Sequence, residues 1–513
     1  MAVVQFDHNK TTAKDRYTTL AGERKTYEDR AVNAAKYTIP MAFPKDTDGY
    51  STAFDTPYQS IGARGVNNLA SKMLLALVPP NDPFFRLGLG SAVLKAMAGN
   101  QNVLDQWQTA LSNIENQMVQ YMESGLHLRT TASEGIIQLI IAGNCLLFLP
   151  PAEGGMRMYR LNSYVLVRDS VGNVVEIVVK DSIMAAALPT NVQGMLKGEV
   201  DPSSKVDVYT HVYLQGDNYL SYQELEGEII GGSNQSYPKD ASPWIPLRFR
   251  KMDGESYGRS FVDEYIGDLA SLENLSKAMV EASAVAANIL YLVNPNSSTR
   301  VSALSRAKSG DFVTGKVDDI QILQMNKTAD LQIAQAMCDK IESRLSFAFL
   351  LNSAVQRNAE RVTAEEIKYV ANELEDTIGA IYAILGTEFQ LPLVKRCLTQ
   401  MMRLGMIQNL PQGAKGIEPV ITTGIEALGR GHDLTKLDTF IKYAQVFPEA
   451  FQNAVKQNGI LNLIATALNI DPATVVKTDA EIQQEQQAAM AQQGMTSAAT
   501  AGGQALGQQA MGQ

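Results

Sequence analysis

At about 150 residues per domain, a chain of 513 residues carries a prior of roughly three domains. That is long enough to bury a large core without a disulfide or metal staple. Hydrophobic residues make up 45% and charged residues 19%, which excludes a chain disordered throughout. The net charge of −10 argues against a surface that clamps nucleic acid all over, because phosphate binding needs Lys and Arg. It leaves room for a protein that lets a duplex pass without gripping it.

Cys145, Cys338 and Cys397 are far apart, odd in number and form no C-x-x-C pair. A disulfide framework or zinc ribbon is not expected, and a reducing compartment fits. The opening MAVVQFDHNK has no apolar region of the kind a secretory signal needs. The longest apolar run, residues 136–149, contains Gln138 and Asn144. It is too short for a bilayer span of about 20 residues, so no membrane association is expected.

The first 150 residues read as helices. Residues 15–37 form a polar helix. Thr56-Pro57 reads as an N-cap followed by Pro at the first helical position. The following apolar positions Ile61, Leu69, Met73, Leu74 and Leu77 run to Pro79-Pro80, which stops the helix. Leu104, Trp107, Leu111, Ile114, Met118 and Tyr121 recur at threes and fours, the mark of an amphipathic helix. Residues 136–149 are a buried helix or a helix leading into a strand.

From 159 to 250 the period shortens. YVLVRD and VVEIVVKD flank Ser170-Val171-Gly172-Asn173, and VDVYTHVYL and YLSYQELEG flank Gln215-Gly216-Asp217-Asn218. Both are hairpin signals. Residues 244–250 add a further strand. The hairpins predict an antiparallel sheet, so the fold class is α+β, mainly helical.

After Gly258 the chain turns helical again. Residues 259–290 contain no Pro and a single Gly, Gly267, and span about 48 Å if continuous. Val262, Tyr265, Ile266, Leu269 and Leu272 make one apolar stripe. Asn294-Pro295-Asn296 breaks the helix, and a mixed region runs to Asn326. Ala334, Met337, Ile341, Leu345 and Phe349 mark the next helix. Thr363-Ala364-Glu365-Glu366 is a capping box opening a third, which Pro392 should kink and Gly405 end. Helical signals return at 434–447 and 460–468. Residues 486–513 contain no charged residue and read as a flexible polar tail.

Two motifs suggest catalysis. Gly254-Glu255-Ser256-Tyr257-Gly258 matches the G-x-S-x-G nucleophile elbow, and the alternative reading of the chain is a serine esterase using Ser256. That chemistry needs a strained turn, an acid and a later histidine; His432 is the only histidine downstream. A glycine-flanked turn launching the long helix is the simpler reading. Gly310 to Lys316 resembles a phosphate-binding loop but is one residue short, and Val317 lacks the hydroxyl that ligates magnesium. A turn between short strands accounts for it. His8, His127, His211 and His432 are scattered without an H-E-x-x-H pattern, so neither a metal site nor a cofactor is expected.

Residues 253–290 hold seven acids, Asp253, Glu255, Asp263, Glu264, Asp268, Glu273 and Glu281, against two bases, Arg259 and Lys277. The plain account is a solvated helix face. The sharper one is that several copies stand side by side and line a passage with their polar faces. Arg357 and Arg361, between two predicted helices, read on their own as surface arginines.

GARGVNNLASKMLLAL from Gly62, DGESYGRS from Asp253, GDFVTG from Gly310, RLSFAFLLNSAVQR from Arg344, ERVTAEEIKYVANELEDT from Glu360 and TTGIEALGRGHDL from Thr422 together resemble the portal, or head-to-tail connector, proteins of short-tailed podophages. The resemblance runs in one order from about residue 14 to 440. It implies a non-enzymatic subunit of a ring, usually of twelve copies, at one capsid vertex of the virion, assembled in the host bacterial cytoplasm. Double-stranded DNA is packaged through the ring by a terminase large subunit and later ejected. The implied partners are a tail adaptor protein, major capsid and scaffolding proteins, and internal core proteins.

The resemblance also implies a division of the chain. Residues 1–257 and 362–435 would be the wing, the latter as a long helix. Residues 258–290 and 329–351 would be stem helices, 291–328 the clip, 352–361 the channel loop and 436–485 the crown helices. Arg357, Asn358, Arg361, Asp268, Glu273 and Glu281 become candidates for the DNA channel. Asn294, Pro295, Asp311, Phe312 and Lys316 become candidates for docking partners at the clip.

Overall fold

The computed structural model describes residues 11–45, 52–80, 83–89, 101–151, 154–197, 200–287, 290–296, 300–323, 328–351, 379, 381–407, 417–421 and 442. The chain divides into two compact units, Met1–Val362 with Tyr369–Thr423, and Thr363–Lys368 with Gly424–Gln513. Of the second unit, Lys442 alone is described. The predicted channel loop with Arg357, Asn358 and Arg361, the capping box at 363–366, the predicted crown helices and the tail lie outside the described residues.

Helix α1 spans Ala13–Lys36. Thr12 caps it, its Oγ1 accepting from the Asp15 amide at 3.1 Å. The Glu224 carboxylate takes the Ala13 and Lys14 amides at 2.6 and 3.2 Å, so a strand residue satisfies donors that a helix start leaves open. Helix α2 is Ile61–Leu77, four residues later than the Thr56-Pro57 signal predicts. The reason lies outside the local sequence: the Tyr58 and Gln59 amides donate to the Glu273 carboxylate at 3.0 and 3.2 Å. Val66, Leu69, Met73 and Leu77 of α2 are fully buried.

Strand β1, Phe85–Leu89, precedes α3, Gln101–Gln120, which buries Trp107, Leu111, Ile114 and Met118 as its period predicts. Helix α4, Leu128–Ala142, leads into β2, Asn144–Phe148, which settles the two readings of residues 136–149. Gly143 joins them at φ +73°, and a Cβ there would stand 2.6 Å from the Arg259 carbonyl carbon. Only glycine fits both the left-handed turn and that close approach.

Strand β3 is Arg157–Tyr159. The two predicted hairpins follow as β4, Tyr164–Arg168, with β5, Val174–Met184, and β6, Lys205–Gln215, with β7, Asn218–Leu225. With β8, Glu228–Ile229, and β9, Gln235–Pro238, they form one six-stranded sheet in the order β4-β5-β6-β7-β8, β9 pairing β7. Strand β10, Trp244–Arg248, joins β2 and β3 in a second sheet, ordered β10-β2-β3. Every ladder among the described residues is antiparallel, which bears out the α+β class.

Helix α5 runs Val262–Ala287, about 39 Å at 1.5 Å per residue. The predicted helix over 259–290 is therefore shorter at both ends, because Leu290 already belongs to strand β11, Leu290–Val293. Strand β12, Ile320–Leu323, returns antiparallel, pairing Leu290 with Leu323 and Val293 with Ile320. Helix α6, Thr328–Ala348, follows. Residues 381–385 are helical and pass through a π-turn, Gly386–Gln390, into α7, Leu391–Arg403. The expected irregularity at Pro392 is thus a π-turn just upstream, with Pro392 in the first turn of the next helix, where its missing N–H does no harm. Gly405, at φ +68°, follows the end of α7 as expected. Strand β13, Ile417–Ile421, pairs with β1.

One large core unites α2, α3, α4, the second sheet and the first turns of α5. Leu69, Met73, Leu139, Ile140, Cys145, Phe249, Val262, Leu269, Leu345 and Phe349 all lie within it. Burying each large apolar side chain contributes about 1.5–3 kcal/mol.

Candidate functional site

The long helix α5 and its partner α6 are the elements on which the acidic channel reading rests. Asp268 meets Arg344 at 2.9 Å, Met279 Sδ lies 4.0 Å from Cys338 Sγ, and Leu290 pairs with Leu323. Residue numbers rise along one helix as they fall along the other, so the pair is antiparallel, closed at its far end by the β11–β12 ladder. The near end sits on the body. Val262, Leu269 and Leu272 of α5 and Ile341, Leu345 and Phe349 of α6 are buried. The predicted stripe of α6 holds at Ile341, Leu345 and Phe349 but not at Met337, which is exposed while Cys338 is buried in its place.

Two further contacts hold the base of the pair. Asn68 of α2 donates to the Phe349 and Leu350 carbonyls at 3.0 and 2.9 Å, and Lys72 Nζ donates to the Leu350 carbonyl at 2.9 Å. Leu350 is left-handed, at φ +55°. An α2 amide and cation thus cap the carbonyl end of α6, where the helix dipole favours positive charge. Phe349 packs on Gly65, where a Cβ would stand 2.5 Å from its ring.

The acids of this region have partners that the local sequence hides. Glu264 pairs with Arg250 at 2.9 Å and Asp268 with Arg344, both cations from other elements. Glu255 pairs with Arg259, whose hydrogen bond holds the carboxyl below the usual glutamate range. Glu281 approaches Lys277 at 4.0 Å on the exposed surface. Glu273 is committed to the amides ahead of α2. Burial raises the Asp263 carboxyl above its ordinary value. The excess negative charge is therefore smaller than the sequence suggests, and of the three predicted channel acids Glu281 is the most exposed.

The predicted docking residues lie around the β11–β12 ladder. Asn294 donates its amide to the Asp319 carbonyl at 3.0 Å, and its side chain accepts from the Asn296 amide at 3.1 Å. Pro295 is exposed. Asp311 accepts from the Lys308 amide at 2.7 Å, closing a turn with Gly310 at φ +98°. Phe312 beside it is fully exposed, and the Lys316 carbonyl accepts from the Asp319 amide at 3.2 Å. The loop lies in the connection from β11 to β12, after a one-turn helix, Val301–Leu304, and has no strand-to-helix context for nucleotide phosphates.

The geometry around Ser256 gives the esterase reading no support. Ser256 is not in the left-handed backbone region that a nucleophile elbow exploits. Its Oγ accepts from the Arg168 amide at 3.4 Å, and its carbonyl accepts from Arg168 Nε at 3.1 Å. The cleft it lines, with Arg168, Gly172, Arg248 and Lys251, has no histidine among its lining residues. His211 is buried elsewhere, between Glu176 at 2.9 Å and the Tyr222 hydroxyl at 2.8 Å. His432 lies outside the described residues. No group of three or more metal-ligating side chains occurs among the described residues, and no helix among them is long and apolar enough to cross a membrane.

An antiparallel helix pair thus stands on a helix-and-sheet body and is tipped by a small ladder with an exposed loop. The chain belongs to the bacteriophage head-to-tail connecting protein family, whose model matches residues 10–476. It is 47% identical over 504 residues to the portal protein of Enterobacteria phage T3, covering 96% of this chain and 94% of that one. It is 46% identical over 508 residues to the portal protein of Escherichia phage T7, covering 97% and 94%. Among solved structures it is similar to a chain of the native gene transfer agent virion, at 11% identity and a TM-score of 0.35 over 79% of this chain and 89% of that one. Its function is that of a phage portal.

Proposed function

We propose that copies of this chain, twelve by family resemblance, close into a ring at one vertex of the capsid and conduct double-stranded DNA inward during packaging and outward at ejection. The terminase large subunit drives the DNA, a tail adaptor later docks at the clip, and capsid, scaffolding and internal core proteins contact the remainder. Assembly takes place in the host cytoplasm. In this reading the chain is a conduit and not a catalyst. Residues 1–257 and 362–435 serve as wing, α5 and α6 as stem, 291–328 as clip, 352–361 as channel loop and 436–485 as crown. Arg357, Asn358 and Arg361 touch the DNA backbone, and Asn294, Pro295, Asp311, Phe312 and Lys316 meet the docking partners.

The observation that carries this reading is the unburied apolar surface of the helix pair. Ile333 is 69% and Phe347 76% exposed, with Met337, Val280 and Val285 also open. Large apolar side chains left exposed along two paired helices are available to a neighbouring copy, and a head-to-tail interface repeated by rotation closes a ring. Electron microscopy of the purified chain tests it. Annular particles with a central hole are expected; a strictly monomeric species at micromolar concentration by light scattering removes the reading.

A further inference from the structure

Among the described residues, three arginines hold a carboxylate side-on, through Nε and Nη2. Arg16 grips Glu176 at 2.9 Å from Nε and 2.8 Å from Nη2. Arg248 grips Glu388, and Arg259 grips Glu255, with the same two atoms. Arg396, on α7, differs. It is 1% exposed. Its Nη1 donates to the Ala241 carbonyl at 3.5 Å, and its guanidinium carbon lies 5.4 Å from the centre of the Tyr237 ring. Its Nε and Nη2 are buried and have no hydrogen-bond partner among the described residues. The charged neighbour that bears on it is a second cation, Arg403, with the Tyr237 and Tyr121 phenols nearby.

A buried guanidinium without a counter-charge is strongly unfavourable, and water can satisfy its N–H groups without neutralising it. The orphaned edge is the one that forms two parallel bonds to a planar or tetrahedral oxyanion. Arg403 lies seven residues on, two turns along the same helix face, is exposed and adds positive potential at the site. We propose that Arg396 anchors an oxyanion-binding site between α7 and residues 237–241, taking a carboxylate or phosphate group on its Nε/Nη2 edge. The oxyanion comes either from free solution or from an acidic side chain of a second copy.

Thermal unfolding of the full chain and of Arg396→Met, in sodium chloride and in inorganic phosphate at matched ionic strength, tests this. Phosphate should raise the midpoint of the unaltered chain by a few degrees, as binding to the native state alone requires, and leave Arg396→Met unmoved. In chloride the variant should be no less stable than the parent, because it removes an uncompensated charge. No phosphate response in the unassembled parent, or an equal rise in both unassembled proteins, overturns the proposal and leaves a merely hydrated arginine. Should Arg396→Met not fold, Arg396→Lys serves. It keeps the charge but loses the fork, so the phosphate concentration giving half the rise should increase several-fold; an unchanged value overturns the proposal. The source is read by repeating the measurement on assembled particles. A response confined to the unassembled chain assigns the site to a neighbouring copy's carboxylate, and a response in both assigns it to a free anion.

Discussion

Glu273 and Glu281 sit two turns apart on one helix and do different work. Glu273 accepts from two backbone amides of another segment; Glu281 stands in solvent beside Lys277. Glu273→Gln should lower stability by about 1 kcal/mol, the scale of a hydrogen bond to a charged group lost in part. Glu281→Lys should fall within about 0.5 kcal/mol of the parent. Urea midpoints compare them, and equal losses would refute the distinction. The sequence shows both residues as members of one acidic run. Their separate roles are invisible there because the amides that bind Glu273 come from a segment distant in the chain.

Among the elements, α2 is the one most constrained by its neighbours. Gly65→Ala would drive a methyl into the Phe349 ring, and overpacking of this kind costs about 1–3 kcal/mol. The expected result is a lower unfolding midpoint, largely restored by Phe349→Leu in the same chain; no rescue would place the strain elsewhere. The two hairpins are legible from sequence because alternation and turn residues are adjacent in the chain. The start of α2 is not, because its amides are satisfied by a carboxylate more than two hundred residues away. Nor is the β11–β12 ladder, whose four-residue strands are too short to show a period.

On the scale of the whole molecule, the proposed conduit would leave electrostatics to govern how freely a duplex moves. DNA carries about one charge per 1.7 Å, and an acidic wall repels it within a Debye length of about 8 Å. In the proposed channel Asp268 is neutralised by Arg344 and Glu273 is held by backbone amides, so Glu281, the most exposed of the three, is the acid whose reversal tests the repulsion. Glu281→Lys should therefore slow DNA packaging while particles still assemble; an unchanged packaging rate would remove the electrostatic role. The family was legible from several long motifs in order, whereas the charge count alone overstated the field, since it could not see Arg250 and Arg344. The ties at the base of the helix pair carry a mechanical consequence. Helix α5 grips the chain just ahead of α2 through Glu273, while α2 grips the end of α6 through Asn68 and Lys72. One strut is thus clasped to both members of the pair, and neither can slide or twist as an independent piston without tugging that strut and, through it, the other.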